Sequence, residues 1–186
     1  MKSEDKETSR LLRNATQLAS MSEVTQAVDR MAKEISKQLK STYPIVTALM
    51  NGGVVPLGMI LTKLDFLLET DYLHPTRYNG STSGGEIKWV RKPPVSFAGR
   101  TVLLVDDVLD NGITLQKTKY ECLKVGAKKI YTAVLVDKTV KDRKGLQKTD
   151  FYGLRLPNEY LFGCGMDYKR HHRNLPGIFT VPEILR

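Results

Sequence analysis

Residues 102–115, Val-Leu-Leu-Val-Asp-Asp-Val-Leu-Asp-Asn-Gly-Ile-Thr-Leu, constrain the fold more than any other stretch. Residues 102–105 form a short apolar run of the kind a buried parallel strand uses. Asp106 and Asp107 follow, where such a strand would reach its C-terminal end. Asp110, Asn111, Gly112, Ile113 and Thr114 then make a small, mostly polar turn before a helix expected over 115–125, with Gly126 at its C-cap. Backbone N–H groups at a helix start, with the positive end of the helix dipole, make a phosphate site. Carboxylates just upstream repel phosphate and instead suit sugar hydroxyls or a divalent metal.

Simpler accounts of these residues are a turn with an N-cap and a solvated strand end. An EF-hand fails, because counting from Asp107 puts Leu109 at the third ligand position and Thr118 at the twelfth. A Walker A loop fails for want of Gly-Lys-Ser/Thr. The whole string closely resembles the phosphoribosyl diphosphate motif of type I phosphoribosyltransferases. There, two acidic residues follow a hydrophobic strand and an Asp/Thr/Gly-rich loop ends at Thr.

The flanking sequence reads as alternating helices and strands. Ser20-Met21-Ser22-Glu23 is a capping box, and Val24, Ala27, Val28, Met31, Ile35 and Leu39 follow at helical spacing, which predicts a helix over 20–40. A further helix is expected around 9–19. Strands are expected at 45–50, 67–73, 87–91, 130–136 and 151–154, with a helix over 54–63. Residues 74–86 read as a long Gly/Ser-rich loop within a hairpin, 141–150 as a solvated basic connector, and 156–186 as an irregular, partly β tail. This order predicts an α/β fold with a central parallel sheet and helices on both faces. Ligands of such sheets bind at the carboxyl ends of the strands, where residues 51–53, 106–114 and 137–138 all fall. The expected organisation is a single domain over 1–186, with a core at about 41–155, a β-hairpin arm, and a small hood from about 1–20 and 156–186.

Composition narrows the partners. The chain has 186 residues, of which 26% are charged, and a formal net charge of +9. That balance suits an anionic partner, but the positive residues are scattered and no RNP, zinc-finger or basic-helix motif is present. A substrate with several phosphates uses the same field. The apolar stretch 45–61 is broken by Asn51, Gly52, Gly53 and Pro56 and is too short for a membrane span. Cys122 and Cys164 fit reduced thiols rather than a disulfide framework, and a cytoplasmic setting is expected.

Resemblance to the hypoxanthine-guanine phosphoribosyltransferases of bacteria extends over about 24–184. It implies a diphosphate-binding loop at Asn51, Gly52 and Gly53, although many relatives carry Lys or Arg where Asn51 stands. It also implies a catalytic loop entered at Arg77-Tyr78, where relatives commonly show Ser-Tyr, so that Tyr78 matches and Arg77 departs. Lys138 corresponds to a donor to the purine O6, and Tyr160-Leu161 to a base-stacking and edge-reading pair. The run Gly163-Cys-Gly-Met-Asp167-Tyr168, then Arg173-Asn-Leu, matches the family's tail. In it Asp167 approaches metal and base, and Arg173 contacts diphosphate. The resemblance makes Asp106 and Asp107 ligands of the ribose hydroxyls or of Mg²⁺. Asp110 becomes the acceptor of a proton from purine N7, and 110–114 the cradle of the 5′-phosphate. It implies homodimers or homotetramers that act without nucleic acid. A sensor of phosphoribosyl diphosphate that binds nucleic acid is the alternative of another class, with only the basic charge in its favour. An orotate or adenine enzyme is disfavoured because Lys138 is a pure donor.

Overall fold

The computed structural model describes residues 11–77 and 87–181. Nine strands and three helices are named here in chain order: β1 (Thr16–Ser20), α1 (Met21–Leu39), β2 (Ile45–Leu49), α2 (Val54–Leu61), β3 (Glu69–Arg77), β4 (Ile87–Arg91), β5 (Thr101–Leu109), α3 (Ile113–Lys124), β6 (Lys129–Thr139), β7 (Phe151–Pro157), β8 (Leu161–Phe162) and β9 (Gly177–Thr180). The main sheet has the order β4-β3-β2-β5-β6-β7. Its neighbours are parallel except for β4, which returns antiparallel on β3.

The apolar runs of the central strands are explained by burial on both faces. Leu103 and Val105 pack with α1 and α2 through Val28, Met31, Ile35, Leu57 and Ile60. Val102 and Leu104 face the other way, into a layer with Leu115 and Cys122 of α3. Helix α1 starts where the capping box predicts: Ser20 N–H donates to Glu23 Oε2 at 2.8 Å, and Glu23 N–H donates to Ser20 Oγ at 3.3 Å. Gly126, with φ +93, ends the α3 segment.

Several sequence expectations are corrected. Residues 16–20 are not helical; β1 pairs antiparallel with β9, a partner some 160 residues away that local periodicity cannot reveal. With β8 these strands form a separate three-stranded sheet, the hood, from the two ends of the chain. His74–Arg77 belong to β3 rather than to the following loop, and Pro75 is accommodated at a register shift. Strand β5 continues through the acidic pair to Leu109 because β6 runs alongside it, Val108 opposite Val136 and Leu109 opposite Asp137. Asp137 and Lys138 accordingly lie within β6, and β7 extends to Pro157. Among the described residues, no helix is long and apolar enough to cross a membrane.

Candidate active site

The C-terminal ends of β2 and β5 and the loop leading to β9 enclose a cavity of about 300 Å³. Asp106, Asp107, Asp110, Gly112 and Thr114 line it from the β5–α3 connection, Asn51 and Gly52 from the β2–α2 turn, and Asp167 and Arg173 from the hood side. The three segments are pressed together. A Cβ on Gly52 would stand 2.1 Å from Asp107 Oδ2, and a Cβ on Gly165, which has φ +107, would stand 2.4 Å from the Gly52 carbonyl oxygen. Glycine is therefore the only residue that fits either position without displacing a neighbour.

Arg173 organises the charge. Its Nη2 lies 2.5 Å from Asp167 Oδ1 and its Nη1 3.6 Å from Asp107 Oδ2, while Nη1 also donates to the Gly165 carbonyl at 2.6 Å. Burial pushes the Asp107 carboxyl above the usual carboxylate range, and the Arg173 guanidinium opposes that rise. Asp106 Oδ1 accepts from the Asp107 amide at 3.0 Å. Among the described residues, no three His, Cys, Asp or Glu side chains form a group able to hold a metal. Asp106, Asp107 and Asp167 thus share one cavity without making a preformed cage. Such a donor set fits Mg²⁺, which commonly takes one or two carboxylates and completes its shell with water and substrate oxygens.

Lys138 does not line this cavity but reaches it: Nζ lies 3.7 Å from Asp110 Oδ2, with the lysine side chain 11% exposed. Tyr160 donates from its hydroxyl to the Asp167 carbonyl at 3.1 Å and packs edge-on to Tyr168. Leu161 is buried in β8 opposite Thr180. Gly53 donates its N–H to the Leu49 carbonyl at 2.8 Å, and a Cβ there would lie 2.3 Å from the Val105 carbonyl oxygen, so it serves the close approach of α2 to β5. Asn111 and Ile113 complete the β5–α3 connection, and Ile113 opens α3 directly after Gly112 at φ +72. Tyr78 lies outside the described residues.

Residues 14–169 match the family model of the phosphoribosyl transferase domain. The chain belongs to the phosphoribosyltransferase family. It is 31% identical over 162 residues to a hypoxanthine-guanine phosphoribosyltransferase of Bacillus subtilis, covering 87% of this chain and 89% of that one. It is also 31% identical over 169 residues to the Lactococcus lactis protein of the same name, covering 90% and 91%. A crystal structure of a hypoxanthine phosphoribosyltransferase from Staphylococcus aureus superposes with a TM-score of 0.84 at 22% identity, covering 91% of this chain and 92% of that one. The phosphoribosyltransferase fold therefore holds over most of the chain.

Two features of the site escaped the sequence reading. Gly165 was read only as part of a matching tail, since its contact with Gly52 joins residues more than 100 apart. The connector 141–150 is not simply solvated: Gly145 is buried, and the Arg143 side chain is only 6% exposed. The sole hint in the sequence is a glycine within a run otherwise rich in Lys.

Proposed function

We propose that this phosphoribosyltransferase moves the 5-phosphoribosyl group from phosphoribosyl diphosphate to N9 of a 6-oxopurine, hypoxanthine or guanine. The products are IMP or GMP and diphosphate, the outcome of purine salvage. The observation that carries the reading is the meeting of Asp110 and Lys138 at the edge of the cavity formed by the acidic strand end, Gly52 and Arg173.

The residues divide the work by charge. Residues 110–114 hold the 5′-phosphate at the start of α3, on backbone amides and the Thr114 hydroxyl. Asp106 and Asp107 accept hydrogen bonds from the ribose 2′ and 3′ hydroxyls. Asn51, Gly52 and Arg173 face the diphosphate, so Arg173 exchanges its carboxylate partners for the leaving group. Tyr160 stacks on the purine, and backbone atoms of Leu161 and Asp167 read its edge. Lys138 donates to O6. As the C1–oxygen bond to diphosphate breaks, the ribosyl carbon gains positive charge, N9 bonds to it, and Asp110 takes the proton from N7. Asp106, Asp107 and Asp167 would hold Mg²⁺, which would supply positive charge to the leaving diphosphate. We further propose a cytoplasmic setting, supported by the two unpaired, buried thiols, and a homodimeric or homotetrameric assembly.

The test is release of diphosphate from phosphoribosyl diphosphate when hypoxanthine or guanine is added with Mg²⁺. Release should stop in excess chelator and return with added Mg²⁺. Full turnover in chelator would rule out the metal's part, and no release with either purine would rule out the reaction.

A further inference from the structure

Behind the candidate phosphate loop runs a strap, residues 143–146, from the connection between β6 and β7. The Gly145 N–H donates to the Asn111 carbonyl at 2.9 Å and the Leu146 N–H to the Gly112 carbonyl at 3.1 Å. Arg143 donates from Nε to the Asp110 carbonyl at 2.9 Å and from Nη2 to the Leu109 carbonyl at 3.2 Å. Four consecutive carbonyls, 109 to 112, thus accept from the strap, and the Gly112 carbonyl also accepts from the Gln116 N–H of α3 at 3.0 Å. In a trans peptide the C=O and the following N–H point in opposite directions. Holding these carbonyls on the strap therefore turns the amides of residues 110–113 away from the strap.

The contact is backbone against backbone. A Cβ on Gly145 would stand 2.4 Å from Gly112 C and Ile113 N, and one on Gly112 would stand 2.3 Å from the Leu146 carbonyl oxygen. Arg143 is itself fixed: Nη2 is 2.5 Å from Asp137 Oδ1 and also donates to the Lys138 carbonyl, and Nη1 donates to the Gln147 carbonyl at 2.8 Å. Arginine suits this place because its planar fork presents donors in fixed directions to several acceptors at once; a lysine ammonium is one point on a flexible stem.

We infer that Arg143, with Gly145, is a positioning residue for the 5′-phosphate cradle. The strap holds the amides of 110–113 in their phosphate-binding orientation before substrate arrives, so that none of the binding interaction is lost in ordering them. The inference rests on the reaction proposed above.

Three variants test it: Arg143→Ala, Arg143→Lys and Gly145→Ala, each first checked for a folded thermal transition. The readouts are the KM for phosphoribosyl diphosphate, the KM for guanine, and the Kd of GMP by calorimetry. The expected result for Arg143→Ala is a rise of about tenfold or more in the KM for phosphoribosyl diphosphate and in the GMP Kd. The KM for guanine should rise less than that for phosphoribosyl diphosphate, since Arg143 touches the base side only through the Lys138 and Asp110 carbonyls, and millimolar guanidinium should recover part of the GMP affinity. Arg143→Lys should recover little, since one ammonium cannot reach the same set of carbonyls. Gly145→Ala should repeat the pattern by pushing on the loop, and it keeps the test open if Arg143→Ala does not fold. A GMP Kd unchanged in the folded variants would overturn the inference, as would equal loss toward both substrates. Failure of the wild-type protein to bind GMP or turn over guanine would instead overturn the reaction on which it rests.

Discussion

Asp110 is where one atom's chemistry separates the proposed roles. It stands at the mouth of the cavity, 39% exposed on its side chain, with Lys138 Nζ 3.7 Å away. Asp110→Asn keeps the size and the turn propensity but removes the ability to take a proton. The expected outcome is a fall in kcat of about 10²–10⁴-fold with the melting temperature unchanged; a loss confined to KM would make Asp110 a binding residue instead. Legibility at this scale followed chain proximity. Asp106, Asp107, Asp110, Gly112 and Thr114 are close in sequence and line one cavity, and Gly52, Asp167 and Arg173 join them there. Arg143 was missed because its acceptors on the loop are the carbonyls of residues 109 and 110, and a carbonyl's direction leaves no trace in residue type.

Among the elements, helices α1, α2 and α3 were legible, while the expected helix around 9–19 and the lengths of the strands were not. Helix α1 carries its own start signal and its own buried stripe, both local. The extra residues of β3, β5, β6 and β7 are extended because a neighbouring strand is there to pair with them, which is a long-range fact. The hood shows the same limit: β1 exists only because β9 lies beside it. The hood also carries a histidine from which an acid sensitivity is expected. Among the described residues His172 Nε2 is buried without a hydrogen-bond partner, and burial, with the His171 charge, lowers the His172 pKa from its ordinary 6.5. A base held below its unfolded value favours the fold when neutral. Its contribution is therefore complete above about pH 6.5 and is lost as pH falls from there through the lower folded value. The melting temperature of the wild-type protein should drop between pH 8 and pH 5, and the drop should shrink in His172→Asn. Asn is suited to the left-handed backbone at this position, φ +69. Parallel drops in both proteins would place the acid sensitivity elsewhere.

For the molecule as a whole, the alternation of strands and helices led to the parallel sheet with helices on both faces, and the location of ligand sites at strand ends led to the cavity. What the alternation could not supply was closure. The hood brings Asp167 and Arg173 from near the end of the chain to Asp107 and Gly52, and that return path depends on the β1–β9 pairing. The basic charge of the chain is consistent with a polyanionic donor but does not choose the acceptor. In the proposed reaction acceptor choice falls to Lys138, a donor whose proper partner at position 6 would be oxygen. Adenine would set its amino group against that donor and leave both unpaired, a cost of roughly 1–3 kcal/mol, which is about one to two decades in rate.

The most direct measurement of the account is therefore a panel of five bases, hypoxanthine, guanine, adenine, uracil and orotate. Each is offered with phosphoribosyl diphosphate and Mg²⁺ to the wild-type protein and to Lys138→Ala. Formation of the nucleoside monophosphate is followed for each. The account predicts transfer to hypoxanthine and guanine, at least about tenfold less to adenine, and little to the two pyrimidines. In Lys138→Ala, use of the 6-oxopurines should fall far more than binding of phosphoribosyl diphosphate. Equal rates with adenine and hypoxanthine, or a Lys138→Ala protein that keeps the wild-type preference, would contradict it.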